Sequence, residues 1–299
     1  MIFCFNSRWL ERSSGLFGPM NKKRNIRLVL QYEGEGYHGW QVQPGVVTIQ
    51  EVLEERLSRV IQERVRVIAA GRTDAGVHAL EQVAHFKTSC GLPAETLQRA
   101  LNALLPHDIR ILMAEEVDHG FHARFSAVAK RYEYRIWNHP VECPFSRRYS
   151  LWIPRSLDLE AMAQSALALS GEHDFSAFRA SGSDVRSSVR NVLGCGWQRE
   201  GSMLRFWIQA TGFLRYMVRG LVGTMVDVGL GRRGPEHLRD LLAGGKRSLV
   251  GATAPARGLF LARVFYPEPW EIDPQWETAA WSAVRVGETQ WGLGSGEGI

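Results

Sequence analysis

Val65-Arg66-Val67-Ile68-Ala69-Ala70-Gly71-Arg72-Thr73-Asp74-Ala75-Gly76-Val77-His78-Ala79 is the stretch on which the fold turns. Val65, Val67 and Ala69 alternate with Arg66 and Ile68, and Gln82-Val83-Ala84-His85-Phe86 alternates again, so each flank has the period of a β-strand. Two glycines and an Arg-x-Asp pair lie between them, where short polar side chains can bond their own backbone. Two readings stay open at this point. Asp74 is a turn residue with Arg72 in solvent, or it is a carboxylate fixed on a rigid turn and offered to a substrate.

Outward from this stretch, the neighbouring elements alternate. Ile26 to Tyr32 reads as a strand, closed by a loop containing Gly34, Gly36 and Gly39 that lacks the Gly-Lys-Ser/Thr of a phosphate loop. Thr48-x-x-Glu51 is a capping box opening a helix with Ile49, Val52, Leu53, Leu57, Val60 and Ile61 on one face. After the second strand, Pro93 starts a helix carrying Leu97, Leu101 and Leu104, Pro106 ends it, and Ile109 to Val117 is a strand. The order is β-α-β-β-α-β, the ferredoxin-like unit.

The second half repeats it. Lys130 to Trp137 alternates, with Tyr132, Tyr134 and Ile136 on one face. A helix through Leu159 and Met162, a loop at Gly171 to Ser176, strands at Val189 to Arg199 and Met203 to Ala210, a long helix from Phe213 to Leu230, a shorter one from Pro235 and a strand at Gly258 to Tyr266 follow. The expected fold is α+β: two tandem ferredoxin-like halves, 20–125 and 126–267, whose mainly antiparallel sheets flank a central basic cleft. Residues 1–19 read as a dispensable, disordered extension and 268–299 as a disordered tail.

The chain has 299 residues, enough for two units of ordinary domain size, and 45% of them are apolar. No apolar run reaches the roughly 18 residues that span a bilayer. The four cysteines, Cys4, Cys90, Cys143 and Cys195, are scattered and form no C-x-x-C pair, which fits a reducing, cytoplasmic setting. Net charge is +5, and of 36 basic residues only five are lysines. Clusters at Arg147-Arg148, Lys130-Arg131 and Arg179, Arg186 and Arg190 suit a polyanionic partner, because the guanidinium fork matches phosphate.

Two further residues stand out. Arg219 sits among Leu214, Met217, Val218, Leu221, Val222 and Met225 on the long helix. An arginine there either snorkels to the surface or finds an acid, and Asp74 is the best partner in the sequence. Tyr132 is either a core ring or a flat surface for a base with a hydroxyl for proton traffic. The histidines show no ligand spacing that would hold a metal.

These features together resemble the tRNA pseudouridine synthase A family. The resemblance is carried by Gly36-Tyr37-His38-Gly39-Trp40-Gln41-Val42-Gln43 and by Ala70 to Ala79. It continues through Ala100-Leu101-Asn102 with Leu105-Pro106, Phe121-His122-Ala123-Arg124-Phe125 and Arg131-Tyr132-Glu133-Tyr134-Arg135. In the second half it rests on Gly171-Glu172-His173-Asp174-Phe175, on Gly212-Phe213-Leu214 with Met217-Val218-Arg219, and on Thr253-Ala254-Pro255-Ala256-x-Gly258-Leu259.

The resemblance implies an isomerase turning uridine into pseudouridine at positions 38, 39 and 40 of the tRNA anticodon stem-loop. It implies Asp74 as nucleophile, Arg72 as a positioning residue, Arg219 as partner of Asp74, and Tyr132 stacking on the target base, where the hydroxyl read above would serve proton transfer. Arg72, His78, Arg124, Arg147, Arg148 and Tyr132 are the expected substrate contacts. A homodimer without metal or cofactor, holding one tRNA across both subunits, is implied as well. The chain departs from the family pattern at Arg215-Tyr216, where two histidines are expected, and at Gly220, where asparagine is expected. The rival expectation is a non-catalytic RNA-binding module of tandem ferredoxin-like units.

If the basic clusters line an RNA groove, affinity for unmodified tRNA falls steeply as salt rises, since each phosphate contact releases counterions. Filter binding over a salt series measures this, and a flat response would point away from a nucleic-acid substrate.

Overall fold

The computed structural model describes residues 23–180 and 186–272. The expected extension at 1–19, and the tail beyond residue 272, lie outside these residues. The first half runs β1 (Arg24–Tyr32), α1 (Ile49–Ile61), β2 (Ile68–Ala69), β3 (His78–Thr88), α2 (Ala94–Leu104) and β4 (Ile109–Val117). The second runs β5 (Ala129–Asn138), β6 (Leu151–Ile153), α3 (Leu159–Ala166), β7 (Gly171–Asp174), β8 (Val189–Glu200), β9 (Met203–Ala210), α4 (Met217–Gly229), α5 (His237–Leu242) and β10 (Leu259–Phe265).

Each half lays its strands in the same order. β4-β1-β3, with β2 on β3, answers to β10-β5-β9-β8, so the α+β reading with tandem ferredoxin-like halves describes the chain. The two sheets join into one ten-stranded sheet. All pairings are antiparallel except β3 with β10 and the short β6 with β5.

The junction has a simple cause. β2 is two residues long and pairs only Ile68 and Ala69 with His85 and Ala84 at one end of β3. The other end of the same β3 edge is therefore open, and β10 takes it through Phe260–His78 and Leu261–Ala79. The segment connecting β2 to β3, residues 70–77, emerges at this seam. Asp74 lies on it.

Three local expectations shift. Gly171 to Asp174 forms β7, because β8 offers it an edge that no local period announces. The long helix begins at Met217 rather than Phe213, since Tyr216 takes a left-handed conformation (φ 64°) that no helix continues through. Residues 268–272, expected in the disordered tail, pack back on the first half. Trp270 meets the Phe121 ring and donates its indole N–H to Asp118, its carbonyl accepts from Arg27, and Ile272 is buried. The Thr48 cap forms as expected, its hydroxyl accepting from the Glu51 amide.

α4 is buried nearly all round, and the crossing segment 251–254 touches its backbone at Gly223. A Cβ there would overlap the Ala252 carbonyl oxygen. Gly251 is anchored on the same turn, donating its amide to the Thr224 hydroxyl at 3.0 Å. Alanine favours a helix over glycine by about 1 kcal/mol, yet overpacking costs roughly 1–3 kcal/mol and wins here. Gly223→Ala is expected to lower the unfolding free energy in urea denaturation by up to about 2 kcal/mol, the overpacking cost less the helix gain; a higher midpoint would contradict the contact.

Candidate active site

The loop 70–77 is held from several sides. Gly39 (φ +85°) brings its backbone against the loop: a Cβ there would lie 2.6 Å from the Thr73 carbonyl oxygen. The Trp40 amide donates to that same oxygen at 3.1 Å, and the Gly76 amide to the Tyr37 carbonyl at 3.3 Å. The hydroxyls of Tyr32 and Thr73 share a hydrogen bond of 2.8 Å, and Gln82 Nε2 donates to the Gly71 carbonyl at 2.8 Å. Gln50, buried on α1, donates to the Val67 carbonyl and accepts from the Val42 amide, tying both flanking loops to one helix. Every anchor is backbone or buried side chain, so the carboxylate stands on a rigid turn.

Asp74 lies between two arginines. Oδ2 is 3.8 Å from Arg219 Nη1 and Oδ1 is 3.8 Å from Arg215 Nε. The Tyr216 amide donates to the carboxylate as well. Both guanidinium groups lie over the Tyr216 ring, at 4.7 Å for Arg215 and 5.0 Å for Arg219. The left-handed backbone of Tyr216 is strain of the kind found where a site requires it, of order 1–3 kcal/mol, and it aims this amide and both cations at one acid. The Asp74 side chain keeps 22% of its surface exposed. Burial nevertheless raises its pKa above the ordinary 3.8, against the opposing pull of Arg219, Arg215 and the Tyr216 amide.

Arg219 is thus neither snorkelled nor in a tight buried pair. Its Nε donates to the Ala254 carbonyl at 2.7 Å, and the Ala254 amide returns a bond to the Arg219 carbonyl at 3.1 Å. Arg219 therefore locks the Thr253-Ala254-Pro255 segment to α4 while facing Asp74. Tyr132 is buried on β5 with Phe213 edge-on at 4.9 Å. Burial, with Tyr32 and Asp74 nearby, raises the pKa of its phenol, so the hydroxyl stays protonated at neutral pH.

The structure brings Asp74, Arg219 and Tyr132 together and disposes the other expected contacts differently. Arg72 is exposed on the same loop and forms no ion pair among the described residues. His78 is buried under Phe260, with Nδ1 accepting from the Gly34 amide and Nε2 bonded to the Arg257 carbonyl. Burial lowers its pKa to about 4, so it is a neutral strut at the seam, turned away from solvent. Arg148 bridges Glu33 and Glu35, while Arg147 shares an open cleft with Glu35, Glu142 and Arg257. Arg124 is exposed beside Phe125. Arg215 stands out in the sequence only as a departure. It precedes α4, so no helical spacing could have placed it opposite Asp74. No group of three or more His, Cys, Asp or Glu that could hold a metal occurs among the described residues.

A model of the family described as tRNA pseudouridine synthase matches residues 28–126 and 166–267, spanning both halves and the loop that carries Asp74. The chain belongs to that family. Similar proteins include the tRNA pseudouridine synthase A of Thermoanaerobacter sp. (strain X514), 45% identical over 243 residues, which are 81% of this chain and all of that protein. The protein of the same name from Geobacillus kaustophilus is 43% identical over 246 residues, 82% of this chain and 95% of that one. A crystal structure of a Cbf5-Nop10-Gar1 complex aligns with 82% of this chain and 59% of that one, at 14% identity and a TM-score of 0.31, too distant to bear on the site. This synthase is an enzyme that isomerises uridine to pseudouridine in tRNA. Nothing found favours the non-catalytic alternative.

Arg219→Ala removes the Ala254 anchor and one cation facing Asp74. Losing a hydrogen bond to a charged group costs roughly 1.5–3 kcal/mol, below the roughly 3–5 kcal/mol of a fully buried pair. Denaturation and single-turnover pseudouridine assays should show that loss with impaired turnover, and Arg219→Lys should restore only part, since a point charge replaces the fork. A stable, fully active alanine variant would show the contact to be idle.

Proposed function

We propose that the chain modifies uridines 38, 39 and 40 of the anticodon stem-loop, with Asp74 as the nucleophile. The observation that carries the nucleophile is its setting: a rigid, partly desolvated carboxylate held by two arginines and an amide next to a buried tyrosine. A carboxylate so placed holds the nucleotide covalently while the bond between N1 and the ribose breaks. The uracil turns, C5 bonds the ribose carbon, the bond to Asp74 breaks, C5 gives up its proton and N1 gains one, so the product is an isomer and the carboxylate is restored. Tyr132 provides the ring surface under the uracil, and its protonated hydroxyl is the proposed relay for that proton. Arg219 and Arg215 offset the negative charge of Asp74 between turnovers, and Arg72, exposed on the same loop, reaches for the RNA.

The target must leave its stack to reach this carboxylate, which suits a basic cleft with aromatic surfaces. The choice of positions 38 to 40, and a homodimer in the cytoplasm holding one tRNA across both subunits, rest on the family resemblance of the sequence motifs alone. No helix among the described residues is long and apolar enough to cross a membrane.

Asp74→Asn keeps size and turn habit and removes the charge. Pseudouridine formation under single-turnover conditions should collapse while tRNA affinity stays near that of the wild type, because a nucleophile contributes only in the transition state. Asp74→Glu should also fail, as a shift of about 1 Å can cost on the order of a hundredfold. The sign of the pH effects follows from the raised pKa. The required carboxylate is protonated at a higher pH than an ordinary aspartate, so the acid limb of activity moves up. For the same reason the ionised group costs the fold stability above its folded pKa and nothing below its unfolded one. Asp74→Asn should therefore be no less stable than wild type at pH 7. Substantial product from a clean Asp74→Asn preparation removes Asp74 from the mechanism.

A further inference from the structure

The face of β5 that carries Tyr132 extends toward the start of the strand. Lys130 is two residues before it on β5, so the two side chains share a face of the sheet. The Lys130 stem lies against the start of the loop that carries Asp74: a Cβ on Gly71 would sit 3.3 Å from Lys130 Cε. Lys130 is partly buried and has no carboxylate partner among the described residues. Burial lowers its pKa, and the nearby charge acting on it is Arg124, of the same sign. A desolvated cation facing a second cation costs the free protein stability. An anion arriving between them would relieve both.

Beside this pair stands a largely exposed aromatic ring, Phe125. Phe125 is 76% exposed, yet its inner face stacks on His122 with centroids 4.3 Å apart and planes at 30°. His122 Nδ1 accepts from the amides of Arg124 and Phe125, both at 3.2 Å, which fixes the loop, leaves the ring neutral and puts its proton on Nε2. His85 backs it at 4.7 Å, and the Arg124 guanidinium lies 5.7 Å from the Phe125 centroid. The shelf is built before anything binds, so stacking a base on it loses little further freedom.

We infer that Lys130, Arg124 and the Phe125–His122 stack form a subsite for an unpaired nucleotide next to the target, its phosphodiester bridging the two cations and its base lying on Phe125. The subsite rests on the reading of an RNA substrate in this cleft. It takes one nucleotide without reading its identity, because every base has a stacking face.

The test compares wild type with Lys130→Met, Lys130→Arg and Phe125→Leu, binding unmodified tRNA and a short single-stranded oligouridylate over a salt series. Pseudouridine formation is followed in the same preparations. Lys130→Met should weaken binding of both RNAs and lower the slope of log affinity against log salt by about 0.7, the release expected of one single-strand phosphate contact. Lys130→Arg should keep that slope, which a purely structural role for the lysine would not predict. Phe125→Leu, at an exposed position that leaves the fold intact, should weaken binding roughly fivefold to a hundredfold, the range of one lost base stack, with the salt slope unchanged. An unaltered slope in Lys130→Met, or wild-type affinity in Phe125→Leu, would overturn the subsite. Variants that show these binding effects beside a wild type that forms no pseudouridine would overturn the proposed function and leave the subsite standing.

Discussion

One edge of β3 is shared between two strands, and the site depends on that division. β2 covers one end and β10 the other, so two ferredoxin-like halves become one sheet. The β2–β3 connection then has to cross at the seam. Had β2 run the length of β3, the edge would have been filled and the second half left without a partner strand. A strand edge presents unpaired amides and carbonyls that must be satisfied somewhere. Here that requirement joins the halves and brings α4 of one half to the loop of the other.

The electrostatics at the seam follow from this geometry. Asp74 comes from the first half, and Arg215, Tyr216 and Arg219 from the second. Neither half alone would hold the carboxylate partly dry and flanked by cations. The raised pKa of Asp74 shows that desolvation outweighs its two arginines, each 3.8 Å away and neither in tight hydrogen-bond contact. A closer pair would bind the charge more firmly and leave a weaker nucleophile. The left-handed Tyr216 and the close approach at Gly39 are local costs carried by a well-packed surround, as expected where function rather than stability sets the backbone.

His78 shows how a residue within a family motif can serve the frame. It sits four residues after Asp74, within the matching block Ala70 to Ala79, yet it is a neutral strut under Phe260 that ties the Gly34 loop to the Arg257 segment. Lys130 shows the converse. In sequence it is one basic residue beside another, but only in the fold does it lie against Gly71 without a counter-charge among the described residues.

By itself the sequence determined the strands and helices whose apolar period is local, the β-α-β-β-α-β order of each half, and the candidate Asp74, Arg219 and Tyr132. Period, caps and turn residues act over a few neighbours, so they are legible without a fold. Tertiary structure alone decided what depends on distant edges and on burial. Gly171 to Asp174 becomes a strand because β8 is there to pair with it. Residues 268–272 become ordered because Trp270 finds Phe121 and Asp118. Arg215, outside any helical spacing, reaches Asp74 because the halves meet. His78 and Lys130 differ in role because burial, hydrogen-bond partners and counter-charges are properties of a site in space, and these no run of neighbouring residues encodes.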